Sequence, residues 1–363
     1  MRDPRPDAGL PLVRSILEGA VAARAFPAAA IEVGRSGGRL WTEAFGTLRY
    51  DDPSPRTSAD TIFDLASLTK VIATTSAAMR LVHEGALDLD APVGRYLHGW
   101  DAPSHAGIRL RHLLDHSSGL PAHVRLWERA RGRADCETLL RALPVEAEPG
   151  TRSVYSDVGF MLLGFIIEDV GRQPLDVVMA GLATELDLGD LCYLPPAAWR
   201  DRTAPTEFDP WRNRLLVGEV HDENAGALGG VAAHAGLFGT APAVGRFAQA
   251  VLQALGGGGT TSALPLMRQF ATITGVPGSS RALGWDTMLV TSSCGSRLSS
   301  KAIGHVGFTG TSLWIDPEQD VYVVLLTNRV HPTRSNEALR PIRPKVHNAV
   351  IEDLERIGVL PRN

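Results

Sequence analysis

The sequence predicts an α+β fold, an antiparallel five-stranded-type sheet flanked by helices plus an inserted, mostly helical domain. Three observations carry this. Strand-like runs sit near both ends of the chain, helical spacing fills the middle, and successive strand candidates are joined by turns too short for a parallel crossover. The 363 residues, 44% hydrophobic and 21% charged, suffice for one large or two intimate domains. Residues 1–66 and 280–363 read as a sheet domain built from both termini. Residues 67–279 read as the helical domain, carrying the helix that Ser67 opens and the loop of Tyr155.

The elements follow in order. Leu10 to Ala23 has the apolar spacing of an amphipathic helix. Residues 28–33 and 40–45 read as strands joined by a hairpin at Ser36-Gly37-Gly38. A helix poor in charge, and therefore expected to be buried, runs from Ala66 to Leu81 and stops at Gly85. Apolar helical stretches follow at 160–170 and 244–255, and the four glycines 256–259 read as a flexible connection. Strand patterns return at 283–290, 302–308, 312–315 and 321–327, with a turn at Asp316–Asp320 between the last two. A helix over 341–357 closes the chain.

Composition excludes several function classes. A formal charge of -4 offers no electrostatic case for nucleic acid or an anionic membrane as partner. Nothing approaches the roughly 18 apolar residues of a membrane span, and Met1–Asp7 leads into polar sequence without a secretory apolar stretch. Cys136, Cys192 and Cys294 are far apart and indicate neither a zinc cluster nor a disulfide framework. The expectation is a cytoplasmic protein acting on a small molecule without a cofactor, its oligomeric state undetermined by sequence. Of the 36 basic residues only Lys70, Lys301 and Lys345 are lysines. Where nearly every positive charge is Arg, a retained lysine can mark a site that needs an amine able to lose its proton.

Lys70 fits that description. Ser67 and Lys70 stand at i and i+3, so hydroxyl and amine share one helix face at the N-terminus, where the helix dipole favours negative charge on oxygen. An amine whose pKa is lowered by burial can serve as base for a serine nucleophile. Tyr155 precedes the apolar 160–170 helix and can relay a proton if it lies beside that lysine. Gly304, Gly307 and Gly310 surround His305 on a late strand, the pattern of an edge against which a substrate lies and whose N–H can face an oxyanion. The polar segments 218–225 and 229–238 contain His221, Asp222 and His234. These are metal-ligand types without metal-motif spacing, so the expectation is no metal. The segment reads as a pocket loop that either binds substrate, chiefly through His221 and Asp222, or satisfies itself. His116 reads as a buried structural residue, and His123 among the histidines without a partner pattern.

Ser67-x-x-Lys70, then Tyr155-x-Asp157, then His305-x-Gly307, together with Leu113-Leu114-Asp115-His116-Ser117-Ser118-Gly119-Leu120, resembles the serine β-lactamase and penicillin-binding-protein superfamily. The resemblance is to its class C-like branch, and segments 218–238 and 327–332 look like its penicillin-binding-protein 4B-like and muropeptide-amidase members, with family VIII-type esterases nearby. It covers nearly the whole chain and implies the β-lactamase/transpeptidase-like fold. It further implies that Ser67 is acylated, Lys70 is its base and Tyr155 the proton relay, with the N–H groups of Ser67 and Phe308 as oxyanion hole. Asp157, His305 and Gly307 would contact substrate. Two departures stand out: Asp157 occupies a position that is often Asn, and Val306 lacks the hydroxyl usual there. The implied activity is hydrolysis, through an acyl-enzyme, of an amide or ester, with a cell-wall peptide fragment as substrate. The alternative is a promiscuous short-chain carboxylesterase with weak or no β-lactamase activity.

Overall fold

The computed structural model describes residues 9–256, 262–289 and 291–362. Gly257–Gly259 of the expected flexible connection, Val290 of an expected strand and the first residues of the N-terminus lie outside them. The elements that place the site are α1 (Pro11–Ala22), β1 (Ala28–Arg35), β2 (Gly38–Gly46), β3 (Phe63–Asp64), α2 (Ser76–His83), α3 (Asp157–Gly171), β4 (Leu191–Tyr193), β5 (Leu237–Gly239), α4 (Ala241–Gly256), β6 (Asp286–Thr287), β7 (Ile303–Val306), β8 (Ser312–Asp316), β9 (Val321–Thr327) and α5 (Ile342–Arg356).

The main sheet has six strands in the order β2-β1-β9-β8-β7-β6, every neighbouring pair antiparallel. Five are full strands and β6 contributes two residues, so the expected five-stranded sheet gains a short edge. The two termini meet in the centre, where β1 pairs β9 from Ala29 opposite Thr327 to Gly34 opposite Tyr322. Side chains alternate as the pleat requires. Ala29, Ile31, Val33, Val323 and Leu325 join the core shared with α1 and α5, whereas Ala28, Ala30, Val324 and Leu326 join the core shared with α2, α3 and α4. Both faces of β1 and β9 are buried, which is why these strands read as apolar runs rather than as strict alternation.

Three elements depart from the sequence expectation. The helix after Ser67 begins as a π-type turn over Lys70–Thr75 before becoming α2, a geometry frequent at functional sites. The expected strand 283–290 contracts to β6. The expected strand 302–308 ends at Val306, because the Gly307 N–H turns back to the Thr311 carbonyl at 2.8 Å. Phe308 therefore leaves the sheet. Among the described residues, no helix is long and apolar enough to cross a membrane.

Candidate active site

Ser67 sits where the chain turns from β3 into the buried helix. Ala66 before it adopts φ 46°, a left-handed conformation costly for a residue with a Cβ. The buried Asp64 holds that turn by accepting the Ala66 N–H at 2.8 Å and the His221 N–H at 2.7 Å. The turn after β7 is tied to the same segment. Thr309 Oγ1 donates to the Asp64 carbonyl at 2.7 Å and Thr311 Oγ1 to the Leu65 carbonyl at 3.0 Å. Gly307 permits this approach, since a Cβ there would lie 2.7 Å from the Leu65 oxygen. The backbone N–H groups of Ser67 and Phe308 consequently flank one cleft. Neither is used in the hydrogen bonding of the described residues. Arg329 Nε donates to the Phe308 carbonyl at 2.9 Å, and its guanidinium lies 4.6 Å from that ring's centre, fixing the second N–H.

Lys70 is fully buried. Its Nζ donates to Ser67 Oγ at 3.0 Å, to Asp157 Oδ1 at 2.7 Å and to the His234 carbonyl at 3.0 Å. Burial pushes the amine pKa down, as the sequence reading expected. The Asp157 carboxylate, with Tyr155 beside it, outweighs burial and raises it above the ordinary lysine value. Lys70 is thus an ammonium at neutral pH in the resting site, which corrects the expectation of a lowered pKa. Asp157 is correspondingly held well below the carboxylate range: burial opposes this, and Lys70 overcomes it. Asp157, expected at the substrate, directs Oδ1 to Lys70, and its Oδ2 lies 3.7 Å from His123 Nδ1.

Tyr155 completes the wall. Its ring centre is 4.9 Å from Lys70 Nζ, and its buried hydroxyl has no hydrogen-bond partner among the described residues. Burial raises its pKa, so it is a neutral phenol. His116 explains the Leu113–Leu120 segment. In a left-handed conformation, φ 61°, it accepts the Ser156 N–H on Nδ1 at 3.0 Å, and its ring packs 4.7 Å from that of Tyr155. His305 is buried, with Nδ1 donating to the Val306 carbonyl at 2.8 Å. That bond fixes Nε2 as a bare acceptor. Burial, aided by Arg281 and Lys70, holds its pKa far below the usual histidine value, so the ring is neutral.

These groups open on a cleft of about 370 Å³ lined by Ser67, Tyr155, His305, Gly307 and Phe308. Sequence reasoning missed the arginines that also line it, among them Arg281, whose guanidinium lies 5.3 Å from the Tyr155 ring centre, Arg340 and Arg343. In a chain with 33 arginines a lone one carries no signal. Arg343, on α5, is the informative one. It is buried, donates to the Thr311 carbonyl at 3.3 Å, leaves Nε unpartnered and pairs with no carboxylate among the described residues. Burial pushes its pKa down to about 10, so it stays charged at neutral pH.

His221 and Asp222 do not line this cleft. His221 Nε2 meets Glu207 at 2.9 Å and its ring stacks 5.7 Å from Phe308, supporting the cleft from behind. Asp222 caps a short helix through the Ala225 N–H and meets His234 Nε2 at 2.8 Å. No group of three metal-ligating side chains occurs among the described residues. A larger cavity, about 750 Å³, shares no residue with the cleft, and its Arg35–Asp320 and Arg297–Glu355 pairs neutralise one another.

A protein of Escherichia coli K12 named "Putative D-alanyl-D-alanine carboxypeptidase" is 31% identical over 317 residues, covering 79% of this chain and 73% of its own length. The solved β-lactamase/D-alanine carboxypeptidase of Pseudomonas syringae superposes with a TM-score of 0.75 at 18% identity, covering 93% of this chain and 98% of that one. EstCE1, a hydrolase with promiscuous acyltransferase activity, superposes with a TM-score of 0.71 at 21% identity, covering 94% and 99%. The family described as Beta-lactamase matches residues 13–347, a span that includes Ser67, Tyr155, His305 and Arg343, and the chain belongs to this family of serine hydrolases.

Proposed function

We propose that the protein hydrolyses an amide or ester of a cell-wall peptide fragment through an acyl-enzyme on Ser67, in the manner of a carboxypeptidase or muropeptide amidase. The observation that carries the chemistry is the 3.0 Å contact between Ser67 Oγ and the buried Lys70 amine, beside two unused backbone N–H groups. Ser67 Oγ attacks the substrate carbonyl, Lys70 in its neutral form accepts the hydroxyl proton, and the N–H groups of Ser67 and Phe308 hold the oxyanion. The Tyr155 phenol passes its proton to the leaving group and is reprotonated by the Lys70 ammonium; water then attacks the acyl-enzyme carbonyl and releases the acyl group from Ser67.

Arg343 supports a substrate carrying a carboxylate. A buried guanidinium without an acid partner is costly unless a ligand supplies the charge. In this reading the anion site is Arg343 on α5, in the same cleft as Val306, whose missing hydroxyl removes the usual one.

The test is labelling of Ser67 by a fluorophosphonate, lost in Ser67→Ala, followed by turnover of a D-alanyl-terminated muramyl peptide, nitrocefin and p-nitrophenyl acetate side by side. Arg343→Ala is expected to lower the ratio of peptide to acetate-ester kcat/KM about ten- to hundredfold, the effect of one charge-assisted contact. A peptide rate at background with brisk acetate hydrolysis would instead establish the short-chain esterase. Absence of labelling in folded protein would sink the acyl-enzyme.

A further inference from the structure

Four titratable side chains lie against the Tyr155 ring. Lys70 Nζ is 4.9 Å from its centre and the Arg281 guanidinium 5.3 Å, while the His116 and His305 rings pack at 4.7 and 5.7 Å. The two histidines bring no charge, because burial, aided by Arg281 and Lys70, holds both far below the usual histidine value. The charges about the ring are then those of Lys70, Asp157 and Arg281. Lys70 and Asp157 pair at 2.7 Å and offset one another, and Asp157 opposes ionisation of the phenol.

Arg281 is differently placed. Its side chain is 19% exposed and lines the Ser67 cleft, yet its guanidinium makes no hydrogen bond among the described residues. The carboxylate it faces, Asp286, is 3.8 Å away, and Oδ1 of that acid is taken by the Ser280 hydroxyl at 2.7 Å and the Thr287 N–H at 3.0 Å. The backbone beneath it is fixed. The Arg281 N–H donates to Ser279 Oγ at 3.0 Å, and its carbonyl accepts the Thr274 N–H at 3.0 Å and Thr274 Oγ1 at 3.2 Å. Three residues on, the Gly284 N–H donates to the Leu114 carbonyl at 2.9 Å, which ties this segment to the one carrying His116. A guanidinium held so, short of its own acid, keeps its charge available to the ring beside it.

We propose that Arg281 is the cation that makes Tyr155 an effective proton donor, stabilising the phenolate that forms when the leaving group takes the phenolic proton. The inference rests on the proton relay described above. In that step the bond from the carbonyl carbon to the leaving atom breaks, its electron pair stays on that atom, and the atom takes the Tyr155 proton. The phenolate then takes a proton from the Lys70 ammonium. Arg281 acts through Tyr155 and is a positioning residue: what it positions is charge, in a buried site where charge acts at longer range than in water. Substrates whose leaving atom must be protonated, amides and alkyl esters, therefore depend on it more than activated aryl esters do.

The experiment compares kcat/KM for benzyl acetate and p-nitrophenyl acetate, which form the same acyl-enzyme. Benzyl alkoxide needs a proton to leave; nitrophenolate does not. Arg281→Gln is expected to lower the benzyl-to-nitrophenyl ratio about tenfold, part of the roughly 10²–10⁴ that acid catalysis supplies, and Arg281→Lys to restore most of it. Tyr155→Phe is expected to lower the ratio further, and Arg281→Gln added to Tyr155→Phe to change it no more. Equal loss on both esters in Arg281→Gln would overturn the proposal, as would a tenfold fall that persists without the Tyr155 hydroxyl, since Arg281 would then act on the leaving group itself. A ratio that Tyr155→Phe leaves at its wild-type value removes the relay and Arg281's part with it. Fluorophosphonate labelling, whose fluoride leaves without a proton, follows Ser67 in each variant; labelling lost in step with benzyl acetate turnover in Arg281→Gln also counts against the proposal.

Discussion

Lys70 and Asp157 are 87 positions apart in sequence and 2.7 Å apart in the fold, and that contact sets the pH behaviour of the site. With Lys70 as base, only its neutral form can take the Ser67 proton. The Asp157 carboxylate raises the lysine pKa, so acylation is expected to climb as pH rises through neutrality, about tenfold per unit. Asp157→Asn removes the raising charge and leaves burial, which favours the neutral amine. The climb then moves to lower pH, and the variant labels faster than wild type near pH 7. Rates of Ser67 labelling from pH 6 to 10 check this, and superimposable profiles for the two proteins would refute it. At this scale the Ser67–Lys70 pair was legible from an i, i+3 spacing, a local property. Asp157 as the lysine's counter-ion was not, and neither was His123, because each depends on a contact between distant segments.

The turn after β7 and the turn into the buried helix depend on each other. Thr309 and Thr311 bind the two consecutive carbonyls that precede the strained Ala66, and Gly307 makes room for the Leu65 oxygen. Gly307→Ala is expected to force the two segments apart, separate the Ser67 and Phe308 N–H groups and cut acylation at least a hundredfold, the scale of losing one oxyanion donor. Near-native circular dichroism with that loss would locate the defect in the site; near-wild-type labelling would contradict it. The glycines around His305 read in the sequence as an edge against which a substrate lies. What approaches is the chain's own backbone at Gly307, and at Gly304 the Trp314 ring with the Leu313 carbonyl. Strand 302–308 was overextended for the same reason: periodicity cannot report that an N–H turns back to Thr311.

Helix α4 packs on the face of the sheet that carries Glu32. Glu32 is buried, accepts the Tyr322 hydroxyl at 3.0 Å on Oε1 and leaves Oε2 unpartnered; burial pushes its pKa up to about 7. A raised carboxyl pKa stabilises the fold fully below the unfolded value near 4.5, and that stability is lost as pH rises to about 7. Glu32→Gln is therefore expected to raise Tm by a few degrees at pH 8 and little at pH 4, and an equal shift at both would rule this out. Asn328 binds the assembly elsewhere, its side chain reaching Ala28, Leu48 and Pro205, which come from three separate segments. The sequence by itself determined the α+β class and the antiparallel sheet built from both ends, because apolar periodicity and short turns are local consequences of side-chain chemistry, whereas Ser67, Tyr155 and His305 entered through the family resemblance their motifs carry. Only the tertiary structure decided that Lys70 is paired with Asp157 and that Arg343 lines the cleft with no carboxylate partner among the described residues. Those facts are distances between segments brought together by burial, and charge, desolvation and stacking act through such distances.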